Sequence, residues 1–526
     1  MINRITPPEY AAAWSEGSRI ALKDIDGAWT TDSVRVRTEL IDGTLSVFVS
    51  ADRGIGQVAL RWNVEIKGPV KILGDHWERG YGDLEWRGIN PDRILPWYCL
   101  IWNGEAATGY GVQTGTSSIA SWRVDSDGVT LFLDLRCGGN DVLLGDRELL
   151  AATVIINEIA GKSPFAAAQD FCRSLCPSPK LPERPIYGGN NWYYAYGQSS
   201  HDEILADSRL IASLSPKGSN RPFMVIDDGW QPNPVAGPWR EGNVRFPDMP
   251  GLAAEMAAIG VDPGIWVRPL YTREAIDDAM RLQAPHAKRE TSGAMLDPTV
   301  PAVQELITED LRRVAGWGFG MVKHDFSTYD LTGRWGFQMT SDLTYDGWRF
   351  ADVSKTTAEV IVDLYRTIRD AIPGAVIIGC NTVGHLAAGL FELQRTGDDT
   401  SGREWARTRK MGVNTLAFRM PQHDTFFAVD ADCVGLTTDI PWALNAQWLD
   451  LLARSGTPLF VSAAAEAVGP EQRTALEAAF ARAAEPHAVA EPLDWMENTS
   501  PRRWLIDGNT VEYNWFDDDQ IIPAVK

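Results

Sequence analysis

The chain has 526 residues and a formal net charge of -21, with 44% apolar and 23% charged residues. That length exceeds one ordinary core and implies a multidomain globular protein. The acidic balance argues against nucleic acid or an anionic membrane as partners, since both would repel the chain at long range. Twenty-one tryptophans point toward carbohydrate, because an indole stacks on the C–H face of a sugar while its N–H keeps a polar handle; most must still serve the core.

The first residues, MINRITPPEYAAAWSEGSRI, contain no apolar h-region and no cleavage site, and no later stretch approaches ~18 consecutive apolar residues. A cytoplasmic location is therefore expected. Cys99, Cys137, Cys172, Cys176, Cys380 and Cys433 are scattered in the manner of reduced thiols. With seven histidines and no ligand-spaced cluster, no metal site is expected. No phosphate loop or nucleotide fingerprint suggests a cofactor.

In chain order, residues 17–160 read as strands: SVRVRTEL, LSVFVSA, VALRWNV, VTLFLDLR and LAATVIINEI, with turns at Asp42-Gly43 and Asp127-Gly128. An antiparallel β-sandwich is expected over residues 1–180, closing with a helix near Pro164 to Leu175 and the Pro-rich CPSPKLPERP. Within it, Gly74 to Gly88 is too rich in Gly, Trp and charge for a sheet interior. It reads as a long loop, either a structural corner or a flap over a neighbouring domain's site.

From Tyr187 the rhythm becomes strand, helix, strand, helix. Strand ends read YGGNNW, FMVIDDGW, PGIWVRP, GMVKHDF, AVIIGCNT, LQRTGDD, FFAVDADCVG and PLFVSA, separated by amphipathic helices. Eight such units are the count of a (β/α)8 TIM barrel, expected over residues 181–488, with function at the C-terminal strand ends. Residues 489–526 are expected to form a short β-rich tail with a turn at Asp507-Gly508.

The strand ends converge, bringing Trp192, Asp227, Asp228, Trp230, Trp266, Arg268, Lys323, Asp325, Cys380, Arg395, Asp398 and Asp399 into one cleft. Lys323 and Asp325 lie two apart, so both face the same side, and the ammonium favours the ionised carboxylate a nucleophile needs. Several carboxylates with tryptophan walls suit glycoside hydrolysis, in which one carboxyl attacks the anomeric carbon and another protonates the leaving oxygen. Each residue also has a structural reading. Lys323 with Asp325 could be a buried ion pair. Either Asp227 or Asp228 could cap a turn. Arg395 could hold Asp398 or Asp399, or contact sugar. Cys380 could be a small buried hydrophobe, and Trp266 and Arg268 could pack on the barrel rim. Asp430 and Asp432 read as solvated or structural.

On these motifs the chain resembles the retaining α-galactosidase clan, glycoside hydrolase families 27 and 36, and most closely family 36, whose members place a large β-sandwich before a TIM barrel. Gly189-Asn190-Asn191-Trp192 resembles the first-strand NNW segment and Asp227-Asp228-Gly229-Trp230 the DDGW sugar clamp. Lys323-His324-Asp325 is similar to the nucleophile motif, Gly379-Cys380 to the fifth-strand cysteine, and Gly397-Asp398-Asp399-Thr400 to the acid/base motif Ser-Asp-Asn-Thr. Leu296-Asp297-Pro298 also fits a family segment.

The resemblance implies Asp325 as nucleophile and Asp398 as general acid/base. Asp227 and Asp228 would bind the 4- and 6-hydroxyls, Lys323 would contact ring hydroxyls, and Trp192 and Trp230 would line the subsite. Three departures are expected to border the sugar: Asn381-Thr382-Val383-Gly384 in place of a glycine run, His324 where Trp or Tyr is usual, and Arg395 where Trp is frequent. The expected partner is a small carbohydrate or glycoside, and self-association into a homo-oligomer is left open. A transglycosylase using the same covalent intermediate and a non-catalytic carbohydrate-binding relative are the alternatives; the paired carboxylates argue against the second.

Overall fold

The computed structural model describes residues 5–218 and 220–516. Two antiparallel sheets form the N-terminal part. The first orders its strands Ser18–Ala21, Tyr10–Ser15, Gln57–Asn63, Gly128–Asp134, Ile119–Asp125 and Leu95–Pro96. The second runs Lys23–Ile25, Ala28–Thr30, Val34–Ile41, Thr44–Ala51, Leu149–Ala160, Ala106–Val112, Tyr98–Trp102 and Lys71–Gly74. Along Thr44–Ala51 burial alternates residue by residue, the pattern of a strand with one face on the core. The expected Asp42-Gly43 turn has positive φ at both residues (49° and 79°), as the tightest hairpin turns require.

Helix Pro164–Leu175 starts at Ser163, whose side chain accepts the Ala166 N–H, and carries Pro at its first turn. It lies directly on strand Ala106–Val112. A Cβ at Gly109 would approach the Phe171 ring to 2.3 Å, so only glycine admits this contact.

Nine parallel segments form the next sheet. They run Ala428–Asp430, Leu393–Arg395, Val376–Gly379, Met321–His324, Asp262–Val267, Phe223–Ile226, Tyr187–Asn190, Leu459–Ala463 and Cys433–Leu436. Their nearly continuous burial is that of strands covered on both faces. The two edge segments are consecutive in the chain, joined by Ala431 and Asp432, with Asp432 at a φ of 73°.

The expected helices are present at His201–Leu214, Met249–Ile259, Pro301–Gly316, Thr357–Ala371 and Pro470–Ala483. Thr356 and Glu359 form a reciprocal capping box at the head of the fourth. Glu491–Pro492, Arg503–Ile506 and Asn509–Glu512 make a small antiparallel sheet, turning at Asp507-Gly508. The remainder of the expected tail, 517–526, lies outside the described residues. Among the described residues no helix is long and apolar enough to cross a membrane. All six cysteines are buried and unpaired.

Candidate active site

The C-terminal strand ends bring most of the expected residues together. At the second strand end, Asp227 Oδ2 accepts from Lys323 Nζ at 2.7 Å and from Asn190 Nδ2 at 2.7 Å, while Asn191 Oδ1 takes the Asp227 N–H at 2.7 Å. Burial disfavours the lysine's charge, yet the surrounding groups, Asp227 foremost and Asp325 among them, together hold Lys323 well above the ordinary lysine range. Asp228 turns away from this pair. Its Oδ1 accepts from Gln231 Nε2 at 2.5 Å and from the Val235 N–H at 2.9 Å, and burial raises its carboxyl against those donors.

Asp325 stands one residue past its strand. Trp266 Nε1 donates to its Oδ2 at 3.0 Å, and the Phe326 and Asn381 N–H groups donate to its Oδ1 at 2.8 and 3.0 Å. Burial opposes its ionisation, but Arg79 and Lys323 outweigh burial and keep the carboxyl below the usual carboxylate range. The turn that places these donors is strained: Phe326 has a φ of 63°, a conformation a non-glycine residue adopts at a cost of about 1–3 kcal/mol.

The tryptophans divide by role. Trp230 is fully buried; it donates to the Trp266 carbonyl at 2.9 Å and packs on Trp239 and Trp317, standing behind Trp266 with no exposed face. Trp192 is half-buried beside Tyr196. Arg268 forms a bidentate pair with buried Asp330 at 2.9 and 2.5 Å and lies over the Phe326 and Tyr271 rings.

The sixth strand end carries two adjacent carboxylates in different settings. Asp398 has one oxygen on Arg79 Nη2 at 2.8 Å and the other on Arg407 Nη2 at 2.7 Å. Asp399 makes only longer contacts, to Arg395 at 3.3 Å and Arg79 at 3.9 Å, and its side chain is 38% exposed against 20% for Asp398. Burial would raise Asp399, but Arg395, Arg79, Lys323 and Arg407 prevail and hold it below the usual range. Arg395 is buried, with Nη2 on Asp432 at 2.8 Å and Nη1 on the Cys380 sulfur at 3.4 Å. Asp432 is buried as well, the structural of its two readings. It accepts from Arg395, from the Thr400 N–H at 2.8 Å, from Thr400 Oγ1 at 2.9 Å and from Tyr193 OH.

Sequence reasoning missed Arg79 and Glu78. Both sit in the Gly74–Gly88 loop, which is the flap and not the corner. Gly80 donates to the Thr396 carbonyl at 2.8 Å and accepts the Asp398 N–H at 2.9 Å, a short parallel bridge between the N-terminal part and the sixth strand end. Glu78 accepts the Gly336 N–H at 2.8 Å and bonds Asn381 Nδ2. Asp75 anchors the loop to Arg419 and Gln422, each at 2.8 Å. The available signal was the run of charges in a loop too polar to pack on itself.

One expected departure does not border the cleft. His324 points to the helical layer, edge-on to Tyr365 and Phe391, because it alternates with Lys323 along the strand. Asn381 does reach the site, through its N–H on Asp325 and its side chain on Glu78. Asp297 is structural: it binds the Thr299 N–H at 2.9 Å and the Ala351 N–H at 2.8 Å.

No protein-family model and no curated protein matches the sequence. Solved structures do. TtGalA, an α-galactosidase from Thermus thermophilus in complex with p-nitrophenyl α-D-galactopyranoside, aligns over 94% of this chain and 97% of its own, with a TM-score of 0.63 at 17% identity. The family 36 α-galactosidase AgaA of Geobacillus stearothermophilus aligns over 90% of this chain and 71% of its own, with a TM-score of 0.59 at 14% identity. The galactosidase domain of an α-galactosidase–sucrose kinase, AgaSK, covers 89% of this chain and 73% of that one, with a TM-score of 0.58 at 16% identity. The chain therefore has the fold of the glycoside hydrolase family 36 α-galactosidases.

Proposed function

We propose that the protein is a retaining, exo-acting glycoside hydrolase that removes a terminal α-galactosyl or closely related residue, with the nine parallel segments acting as a closed (β/α)8 barrel between a sandwich ending near residue 180 and a small C-terminal sheet. The observation that carries this reading is Asp325: a buried carboxylate kept ionised by Lys323 and Arg79 and aimed by three N–H donors. In the first step an Asp325 oxygen attacks the anomeric carbon as the glycosidic C–O bond breaks, and a second carboxyl, the acid/base, gives its proton to the leaving oxygen. In the second, a water gives a proton back to that carboxylate and attacks the anomeric carbon, releasing Asp325 and restoring configuration.

The donor belongs to the Asp398–Asp399 pair. Position in the motif nominates Asp398, but Arg79 takes one of its oxygens and Arg407 the other, so neither is left to meet a glycosidic oxygen. Asp399 supports the role better, since its charge reaches Asp325 and its Oδ2 takes no hydrogen bond among the described residues. The substrate is read as neutral. Lys323, Arg268, Arg395 and Arg79 already have carboxylate partners, whereas Asp228 and Asp325 have none of opposite charge within bonding distance among the described residues. A cytoplasmic location is part of the proposal, supported by the unpaired cysteines.

The test is a panel of nitrophenyl α- and β-glycosides, with the first product's configuration read by NMR. The α-galactoside should lead its gluco epimer by roughly 30- to 1000-fold, because a buried acceptor left unpaired by the wrong hydroxyl costs about 2–4 kcal/mol. Equal kcat/KM on the α-glucoside, with the ratio unmoved in Asp228→Ala, would sink the galacto assignment, and an inverted product would sink retention.

A further inference from the structure

Arg79 is a cation delivered to the strand ends by a different part of the chain. Its side chain is 6% exposed. The Gly80 bridge to Thr396 and Asp398 fixes its backbone beside the sixth strand end. From there the guanidinium lies over the Trp335 ring at 5.3 Å, reaches Asp398 at 2.8 Å and Asp399 at 3.9 Å, and comes within 3.9 Å of the Cys380 sulfur. A salt bridge used only to glue two domains has no need to end on a carboxylate adjacent to a reacting one. This one does, and the second guanidinium on Asp398, that of Arg407, completes a two-sided clamp.

We propose that Arg79 is a positioning residue of the catalytic centre: with Arg407 it fixes the Asp398 carboxylate, so that Asp399 is the carboxylate left free to exchange a proton, and the proton-transfer machinery is complete only when the Gly74–Gly88 loop is docked. The inference rests on the glycosidase reading. Mechanically, Asp398 and Asp399 share a peptide unit, so anchoring one side chain and its N–H restricts the direction in which the next can point. Without the clamp, a free Asp398 becomes a second mobile anion beside the donor.

The experiment compares Arg79→Met, Arg79→Lys and Arg407→Met on two α-galactosides, one with a 2,4-dinitrophenyl and one with a methyl leaving group, since only the second needs full protonation. Arg79→Met should slow kcat on the methyl glycoside about 10- to 100-fold more than on the dinitrophenyl one. Arg79→Lys, which still offers a donor to Asp398, should recover part of that gap. Arg407, at 38% exposure, can be replaced without touching the core, and its variant should show the same leaving-group signature in weaker form. In Arg79→Met/Asp398→Asn the gap should match that of Arg79→Met alone, because both changes act through one carboxylate.

The acid limb of kcat/KM gives a second readout. Asp325 is faced by Lys323 and His324 on its own strand, Arg268 and Trp266 from the third, Asp330 from the following helix, Cys380 from the fifth strand end, Asp399 from the sixth and Arg79 from the loop. Removing Arg79 takes away a cation that favours the ionised nucleophile, so the limb should move to higher pH. A folded Arg79→Met enzyme that slows both leaving groups equally through KM would make Arg79 a sugar contact and overturn the proposal. So would an unchanged leaving-group dependence in both Arg79→Met and Arg407→Met. If the unmodified enzyme turned over no glycoside in the panel, the glycosidase reading would fall and take this inference with it.

Discussion

The strand Met321–His324 has two faces that differ in kind. On the cleft side Lys323 meets Asp227 at 2.7 Å, and Asp325 just beyond takes three N–H donors. On the helix side, one residue away, His324 is buried with neither ring nitrogen hydrogen-bonded among the described residues. The cleft face is over-determined, its carboxylates Asp227 and Asp325 each being held from two or three elements at once, as pre-organised chemistry requires. The helix face is only filled: a flat ring of suitable size sits between Tyr365 and Phe391, and its polarity is a cost the packing absorbs.

If that division is right, substitutions on the two faces should differ by orders of magnitude. The largest effect belongs to Asp325→Ala, which removes the bond-forming atom. Turnover should fall at least ~10³-fold, about 4 kcal/mol of barrier, with the melting temperature little changed. A folded variant with near-normal kcat would move the nucleophile elsewhere.

Next comes Lys323→Met. It deprives Asp227, buried and bonded to Asn190, of its only ion-pair partner among the described residues. An uncompensated buried charge costs about 3–5 kcal/mol, so the denaturation midpoint should drop sharply along with activity. A variant as stable as the parent would mean that water reaches Asp227 and that the cleft face is not closed as described.

The same contrast explains what was legible in the sequence. Alternation along Lys323-His324-Asp325 and the Asp227-Asp228-Gly229-Trp230 run could be read because periodicity assigns faces without knowledge of partners. The helix near Pro164 to Leu175 emerged at its expected bounds because the cap at Ser163 marks it locally, as Ser200 and Thr356 mark two later helices. Long-range pairings were hidden. Nothing local says that Arg79 will meet Asp398, 319 positions later by subtraction of their numbers (398 − 79), or that Asp432 will gather Arg395, Thr400 and Tyr193. Two adjacent aspartates look alike in sequence, and only their separate guanidinium contacts distinguish them. The family resemblance puts His324 at the sugar because it stands where Trp or Tyr is usual, yet alternation sends it the other way.

The smallest effect, and the sharpest test of the helix face, is His324→Phe. Burial depresses the imidazole to about 3. With a folded value below the unfolded one of about 6.5, the histidine carries no protonation penalty at pH 8, where both states are neutral. As pH falls through 6.5 the unfolded chain takes up a proton first, and the folded protein should lose about 1.4 kcal/mol per pH unit until the folded value is reached. Phenylalanine has nothing to protonate and leaves no ring nitrogen unsatisfied. The variant should therefore match or exceed the parent at pH 8 and pull ahead steadily toward pH 4.5, with kcat on the best substrate within about two-fold. Urea midpoints at several pH values check this. Parallel curves for the two proteins would mean that His324 finds a partner as the pH falls, and that the outer face of the strand is more polar than its packing indicates.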